Sequence, residues 1–282
     1  MALDPQCLSG RNAVVVGASS GINLGVAHRL GSLGAQIAIV SRSSERIAAA
    51  ADALRADGLD VTHHAGDVRE ATAMQSIMTE VADAKGPIDI VLSGAAGNFF
   101  VPAAKMSPNA FKTVIDIDLI GTFNVLSAAY PHLKRPGAVL INITAPQAER
   151  AMPMQAHACS AKAGIDMLTR CLALEWGVEG IRVNAVSPGP IADTEGLARL
   201  ATDAELAELI RGALALPRFG QRIDIGNAVA WLCTEAASFV TGTTIDCDGG
   251  MRLGNLYAPE QGPTTVKKRT HAPQEQGSER FG

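Results

Sequence analysis

A glycine-punctuated loop follows the first apolar run of the chain and could bind a phosphate group. The segment from Asn12 to Gly25 reads NAVVVGASSGINLG. Gly17 allows a sharp turn where a Cβ would clash, and Gly21 opens the next helix. Unpaired backbone N–H groups and the positive end of a helix dipole favour an anion there, and Ser19 and Ser20 add hydroxyl donors. The loop therefore predicts a pyrophosphate site made mostly of backbone, the open alternative being a tight turn without a ligand.

Arg42 lies just after the second apolar run, where a dinucleotide-binding fold reads the adenosine ribose. An acidic residue at that position accepts a hydrogen bond from a free 2′-hydroxyl, whereas an arginine accommodates a 2′-phosphate. The sequence SRSS at residues 41–44 has no carboxylate, although Glu45 follows it closely. The pattern favours NADP(H) as the cofactor. A solvated surface arginine is the open alternative.

Asp118 is unusual because it lies in an apolar run, IDIDLI, in the middle of a predicted helix. A carboxylate in such surroundings is rarely there without a partner. Phe99 and Phe100 follow a small-residue turn after the fourth apolar run, and they are either core residues or the apolar wall of a substrate pocket. These residues mark a second region in which chemistry could take place.

Alternating strand and helix patterns position these residues. Apolar runs predict strands at 13–16, 36–40, 60–65, 88–92, 138–143, 181–186 and 244–247. Amphipathic patterns predict helices at 22–33, 45–57, 69–84, 107–130, 157–177 and 224–234, with a helical insert at 194–211. This order predicts an α/β fold: one Rossmann-type, doubly wound parallel sheet of about seven strands, with helices on both faces.

Composition narrows the class of protein. The 282 residues carry a net charge of −4 and 4% aromatics, without a basic cluster, which argues against a nucleic-acid partner. Five widely spaced cysteines indicate reduced thiols and show no metal-ligand spacing. No signal peptide or membrane-spanning run is evident. Residues 1–258 are expected to form one domain, and the polar segment 259–282 is expected to be disordered.

Several short motifs occur in a fixed order along the chain: GASSGI at 17–22, DV at 67–68, AAG at 95–97, DLIG at 118–121, NIT at 142–144, Lys162, RVNAVSPG at 182–189 and DGG at 248–250. With them the chain resembles the short-chain dehydrogenase/reductase family from about residue 8 to residue 253. The third loop glycine is Asn23 here, interpreted as a replacement that tolerates the left-handed conformation. The resemblance implies cofactor contacts from Gly17, Ser19, Ser20, Gly21, Ile22, Arg42, Asp67, Val68, Ala95, Lys162, Pro188, Gly189, Ile191 and Thr194.

The catalytic positions depart from the ordinary family pattern. Most members use an Asn, a Ser, a Tyr and a Lys, with the Tyr four residues before the Lys as the general acid. The matching positions here are Asp118, Ala145, Ala158 and Lys162, with Thr144 beside the second. A mechanism that needs a phenol proton donor therefore cannot be carried over.

Longer motifs narrow the resemblance: AAGNF at 95–99, FKTVIDID at 111–118, HACSAKAG at 157–164, ALEWG at 173–177 and PGPIADTEGLARL at 188–200. They are similar to the 2,4-dienoyl-CoA reductases, above all the peroxisomal form. The mitochondrial form has a catalytic tyrosine fifteen residues before the lysine, where this chain has Gln147. The chain ends in Phe281-Gly282, without a peroxisomal tripeptide, so a cytoplasmic relative of bacterial type is expected.

This resemblance implies NADPH-dependent reduction of a 2,4-dienoyl-CoA by a homo-oligomer, expected to be a tetramer. Lys162 would hold the nicotinamide ribose and, with Asp118, position a water that returns a proton to the α-carbon. The fatty acyl-CoA would be bound by Arg42, Arg69, Phe99 and Arg199, unless the arginines are merely solvated. Another acyl-CoA or acyl-carrier-protein reductase and a non-catalytic NADP-binding protein remain alternatives.

Overall fold

A computed structural model describes residues 3–254, which contain a seven-stranded parallel sheet flanked by helices. The strands are β1 (Asn12–Val16), β2 (Gln36–Ser41), β3 (Val61–Ala65), β4 (Ile90–Ser93), β5 (Val139–Ile143), β6 (Arg182–Pro188) and β7 (Thr244–Cys247). Their order in the sheet is β3-β2-β1-β4-β5-β6-β7, and every pairing is parallel. The predicted fold class is confirmed.

The helices form two layers around the sheet. They are α1 (Gly21–Ser32), α2 (Ser44–Ala56), α3 (Ala71–Lys85), α4 (Pro108–Ile115), α5 (Gly121–Ala129), α6 (Ala156–Trp176), α7 (Glu195–Leu200), α8 (Ala204–Gly212) and α9 (Arg222–Leu232). Apolar residues of α1, α2 and α9 pack in one core cluster, and those of α3, α5 and α6 pack in the other.

Strand β1 shows why the fold forms. All five of its residues are buried, and neighbouring side chains enter opposite cores, Val15 on one face and Val14 on the other. A run of branched apolar residues suits such a strand because both faces of a parallel sheet are covered. The order of the strands reverses beside β1, so the carboxyl ends of β1 and β4 border the crevice where open α/β sheets bind ligands.

The helix predicted at 107–130 is interrupted. Helix α4 ends at Ile115, a π-helical turn covers Asp116–Ile120, and α5 begins at Gly121. The prediction of one regular helix was wrong because a π-helical turn shifts the backbone hydrogen bonds by one residue while leaving the apolar pattern nearly intact. Asp118 lies in the middle of this turn.

The described range also bears on two predictions about the chain as a whole. None of the helices within residues 3–254 combines the length and the apolar character that a membrane crossing needs. The predicted domain boundary after residue 258 and the tail at 259–282 lie outside the described residues.

Candidate active site

Two glycines shape the loop between β1 and α1. Gly17 has a φ of +82°, and a Cβ there would lie 2.8 Å from the backbone nitrogen of Ala95. Gly21 has a φ of +62° and begins α1. The N-cap residue Ser20 makes no side-chain capping hydrogen bond, so backbone donors of the first turn face the crevice uncapped. The loop therefore fits a pyrophosphate group.

Asn23 is not the left-handed replacement expected from the sequence. It lies within α1, and the non-glycine residues with positive φ in the described range are Met154 and Asp193. The Asn23 side chain is buried, and its Nδ2 donates to the carbonyl oxygens of Gly94 at 2.8 Å, Gly17 at 3.3 Å and Val16 at 3.4 Å. The amide thus ties the end of β1 to the end of β4, a role that a third glycine could not fill.

A surface pocket of about 350 Å³ lies beyond the end of β2, lined by Ser19, Ser41, Arg42, Ser43 and Arg46. The hydroxyl of Ser41 donates to that of Ser19 at 3.1 Å. The pocket also contains the N-cap of α2, where Ser43 accepts from the backbone of Arg46 at 3.3 Å. Two guanidinium groups and a helix N-terminus suit a phosphate. The sequence interpretation missed Arg46, whose only signal was its spacing of one helical turn from Arg42.

Asp118 and Lys162 form a buried ion pair. Lys162 Nζ lies 3.2 Å from Asp118 Oδ2, and the two side chains are 10% and 1% exposed. Asp118 Oδ1 accepts from the backbone N–H of Gly97 at 2.7 Å, and Lys162 Nζ donates to the carbonyl oxygen of Ile143 at 3.2 Å. The carboxylate and the ammonium are each fixed by a second partner, so the pair is held in one geometry.

Two glycines allow the π-helical turn to approach its neighbours. A Cβ on Gly164, in α6, would lie 2.7 Å from Leu119 Cδ2, and a Cβ on Gly121 would lie 2.6 Å from Val68 Cγ2. Helix α6 can therefore pack closely against the residue that follows Asp118. This close packing brings Lys162, two residues before Gly164, within ion-pair distance.

The positions of the ordinary family catalysts hold no phenol. Ala158 is buried, and Thr144 Oγ1 donates to the carbonyl oxygen of Lys162 at 3.5 Å. Gln147 Nε2 donates to Gln155 Oε1 at 3.1 Å. Tyr130, the one tyrosine within residues 3–254, donates to Glu179 instead. Within residues 3–254, the charged side chains that contact each other at the family's catalytic positions are Asp118 and Lys162.

The remaining residues expected at the cofactor lie along the carboxyl edge of the sheet. Asp67 and Val68 follow β3, Ala95 follows β4, Pro188 ends β6, Gly189 and Ile191 follow it, Thr194 caps α7, and Ile22 lies in α1. Gly189 allows a close approach, because a Cβ there would lie 2.6 Å from the Cα of Asp248. The hydroxyl of Thr194 is engaged in the cap, donating to the Ile191 carbonyl oxygen and accepting from Leu197.

The residues expected to bind the acyl-CoA are not all grouped together. Arg69 is held by Asp67, with its Nη2 2.6 Å from Asp67 Oδ2, and this guanidinium keeps the pKa of Asp67 below its ordinary value. Arg199 instead reaches the β4–α4 loop and donates to the Asn98 carbonyl oxygen at 2.7 Å, next to Phe99. Arg199 and Phe99 therefore share one side of the crevice. Arg42 lies in the separate pocket beyond β2.

The chain is similar to several known proteins over most of its length. Residues 17–252 match a family model described as enoyl-(acyl carrier protein) reductase. A peroxisomal 2,4-dienoyl-CoA reductase, (3E)-enoyl-CoA-producing, from Pongo abelii is 42% identical, over 88% of this chain and 86% of the relative. The protein of the same name from Arabidopsis thaliana is 36% identical over 95% of each chain.

A solved structure is similar as well. The gluconate 5-dehydrogenase from Burkholderia cenocepacia J2315, in complex with NADP and tartrate, is 31% identical and superposes with a TM-score of 0.81. The match covers 89% of this chain and 98% of that structure. The family model, which matches most of the chain, and the relatives at 42% and 36% identity show that the chain belongs to the short-chain dehydrogenase/reductase family of oxidoreductases.

Proposed function

We propose that this protein reduces a 2,4-dienoyl-CoA to a 3-enoyl-CoA with NADPH. The observation that carries the proposal is the buried ion pair of Asp118 and Lys162 at a centre that lacks the usual phenol. A ketone reductase needs an acid that protonates oxygen, whereas a dienoyl thioester must be protonated at carbon. The names of the relatives from Pongo abelii and Arabidopsis thaliana support the same substrate class.

The residues at the edge of the sheet fit a nicotinamide dinucleotide. The Gly17–Gly21 turn would receive the pyrophosphate, and the segment from Pro188 to Thr194 would contact the carboxamide end. Lys162 would hold the nicotinamide ribose. When bound, the cofactor supplies a hydride to the δ-carbon of the diene.

The ion pair has a defined task in the second half of the reaction. Negative charge develops on the thioester oxygen as the diene accepts the hydride, and a proton must then reach the α-carbon. Asp118 and Lys162, 3.2 Å apart, can together orient one water molecule. That water donates the proton, and Lys162 compensates the charge that the water retains. Gly97 contacts the Asp118 carboxylate and Ile143 the Lys162 ammonium, so each side chain has a backbone partner that positions it.

NADPH is proposed over NADH because of the pocket beyond β2. Arg42 and Arg46 line it together with three serines, and Glu45 is not among the lining residues. The Burkholderia structure with NADP supports a phosphorylated cofactor in this fold. A charge-assisted contact to a phosphate contributes about 1.5 to 3 kcal/mol, enough for roughly tenfold discrimination or more.

Reduction of a simple 2-enoyl thioester is the alternative, favoured by the description of the family model as an enoyl-(acyl carrier protein) reductase. A non-catalytic NADP-binding protein is less well supported, because it has less need of a buried charge pair.

The test follows NADPH absorbance with 2,4-hexadienoyl-CoA, trans-2-hexenoyl-CoA and a simple ketone. We expect consumption with the first substrate alone. Consumption only with the second would establish the alternative, and consumption with none would contradict both.

We further propose a homotetramer. Exposed apolar residues recur along the outer faces of α5 and α6, among them Phe123, Met167 and Leu174, and Val178 continues the stripe beyond α6. Leu174 and Val178 are 83% and 89% exposed, which is costly unless another chain covers them. Light scattering should give the mass of four chains. Leu174→Glu should lower the measured mass, whereas Ala53→Glu on α2 should leave the mass unchanged.

The cytoplasmic location expected from the sequence stays a prediction.

A further inference from the structure

His157 is a fully buried residue to which the mechanism above gives no task. It lies in the first turn of α6, with 0% of its surface exposed. The backbone N–H of Ala158 donates to His157 Nδ1 at 2.8 Å. A neutral imidazole that accepts at Nδ1 carries its proton on Nε2. That Nε2 is buried and makes no hydrogen bond to any of the residues that the structure describes.

A second unpaired polar atom lies in the same part of the site. The side-chain oxygen of Asn98 is also buried and without a hydrogen-bond partner among residues 3–254. The next residue, Phe99, contacts the His157 ring edge to face, with the ring centroids 4.4 Å apart. Buried polar groups are normally paired, so these two neighbouring atoms are available to form hydrogen bonds with a bound molecule.

Contacts already described connect His157 to the ion pair. Gly97 donates to Asp118, Asp118 pairs with Lys162, and two residues after Gly97 the ring of Phe99 covers His157. Along α6, His157 precedes Lys162 by five residues, an axial rise of about 7.5 Å. The imidazole and the ion pair therefore border the same loop, because Gly97 contacts one and Phe99 the other.

A dienoyl thioester needs two groups in one site, a donor to its carbonyl oxygen and a proton source for its α-carbon. Its carbonyl oxygen and its α-carbon are separated by one carbon atom, so a donor to the oxygen must lie close to the group that protonates the α-carbon. Asp118 and Lys162 are placed for the carbon, which leaves the oxygen without an assigned donor. Phe99 is 38% exposed, so its ring is within reach of an acyl chain that enters the crevice.

We propose that His157 Nε2–H donates a hydrogen bond to the thioester carbonyl oxygen and stabilises the dienolate; this inference rests on the proposed function. Hydride adds to the δ-carbon, the diene electrons shift toward the thioester, and the carbonyl π pair moves to the oxygen. His157 keeps its proton and binds the resulting oxyanion. The water held by the ion pair then protonates the α-carbon, and the carbonyl re-forms. A neutral N–H donor in a dry site stabilises such a charge without a proton transfer.

The test compares the wild-type protein with His157→Leu and His157→Gln in the presence of bound NADP(H). Leucine removes the donor, whereas glutamine retains an N–H at a similar reach. We expect His157→Leu to lower turnover of 2,4-hexadienoyl-CoA by about 10² to 10³, the usual loss for an oxyanion donor, and His157→Gln to recover most of it. His64→Leu, a histidine of β3 that contacts Glu80, should leave turnover unchanged.

A spectroscopic readout separates this role from a structural one. Polarisation of the thioester carbonyl shifts the absorption band of bound 2,4-hexadienoyl-CoA to longer wavelength, and His157→Leu should abolish that shift while NADPH affinity is unchanged. A normal shift and normal turnover in His157→Leu would overturn the inference.

If His157→Leu does not fold, an NMR measurement on the wild-type protein labelled with ¹⁵N-histidine provides the test. Its Nε2–H resonance must move on addition of hexanoyl-CoA, and an unmoved resonance would equally overturn the inference. A wild-type protein without dienoyl-CoA turnover would instead contradict the proposed function.

Discussion

The region that would hold the cofactor and the region that holds Asp118 and Lys162 differ in what supplies their polar groups. From Gly17 to Arg46, the donors are mostly backbone N–H groups and helix N-termini, supplemented by the exposed side chains of Arg42 and Arg46. At Asp118 and Lys162, they are two charged side chains removed from water. Backbone sites tolerate many substitutions, whereas a buried charge pair fails when either partner is lost. The two regions should therefore respond very differently to mutation.

The largest effect is expected at Lys162. Lys162→Met leaves Asp118 buried without its partner, which should lower the free energy of unfolding by about 3 to 5 kcal/mol. Turnover should fall by about 10² to 10⁴, and NADPH binding should weaken as well because the ribose contact is lost. Thermal unfolding, steady-state rates and cofactor titration measure the three quantities.

Lys112→Met is the matched control for this comparison. Lys112 pairs with Asp116 on the same helical segment, but its side chain is 68% exposed. An exposed pair of this spacing contributes only about 0.2 to 0.5 kcal/mol. Equal losses of stability in the two variants would show that burial of the Asp118–Lys162 pair does not increase the cost of breaking it.

The next effect concerns the pocket beyond β2. Arg42→Ala should weaken NADPH binding by roughly tenfold or more and leave NADH binding unchanged, because only the first cofactor carries the 2′-phosphate. Arg46→Ala should act in the same direction. Arg55→Ala removes a guanidinium of α2 that pairs with Asp52, and it should change neither affinity. Equal weakening of both cofactors by Arg42→Ala would contradict the assignment of this pocket.

Asn23→Gly tests how far the cofactor region depends on backbone alone. The substitution restores the ordinary family residue but removes the contacts with three carbonyl oxygens and adds a glycine to α1. We expect a loss of about 1 to 3 kcal/mol in the free energy of unfolding, from the hydrogen bonds and the lower helix propensity together. Chemical denaturation measures it. An unchanged midpoint would mean that the amide is dispensable.

The smallest effect is expected at Asp166, a buried carboxyl of α6 that no proposal uses. Burial raises the pKa of Asp166 above its ordinary value of 3.8. The folded chain thus binds this proton more tightly than the unfolded chain, so stability declines as the pH rises from about 3.8 through the raised pKa. Asp166→Asn removes the charge, so its stability relative to wild type should be greater at pH 7 than at pH 3.5. A difference independent of pH would contradict this account.

The sequence predicted the elements whose signal is local. Strands buried on both faces give continuous apolar runs, which is why β1 and the parallel sheet were recognised. Asp118 was recognised because a carboxylate is rare in an apolar run. The π-helical turn around it was missed, since it depends on close packing against Gly164 and Val68, and neither contact has a local signature.

Other features of the site arise only in three dimensions. The Gly97 N–H bound to Asp118 is a backbone donor, and any residue except proline could supply one. Asn23 was misread because its three acceptors come from the ends of two separate strands. His157 was part of a recognised motif, yet its burial under Phe99 could not be read from that motif.

The most direct test of the central claim is the turnover of 2,4-hexadienoyl-CoA by Asp118→Asn, measured beside the dissociation constant of NADPH in the same preparation. Asparagine keeps the shape of the side chain and restores the ordinary family residue, but it removes the charge that orients the water. The account predicts a fall in turnover of about 10² to 10⁴ with NADPH binding retained. Near-normal turnover would show that the ion pair is structural and that the proton comes from elsewhere, with Thr144, Gln147 and Ser160 as the next candidates.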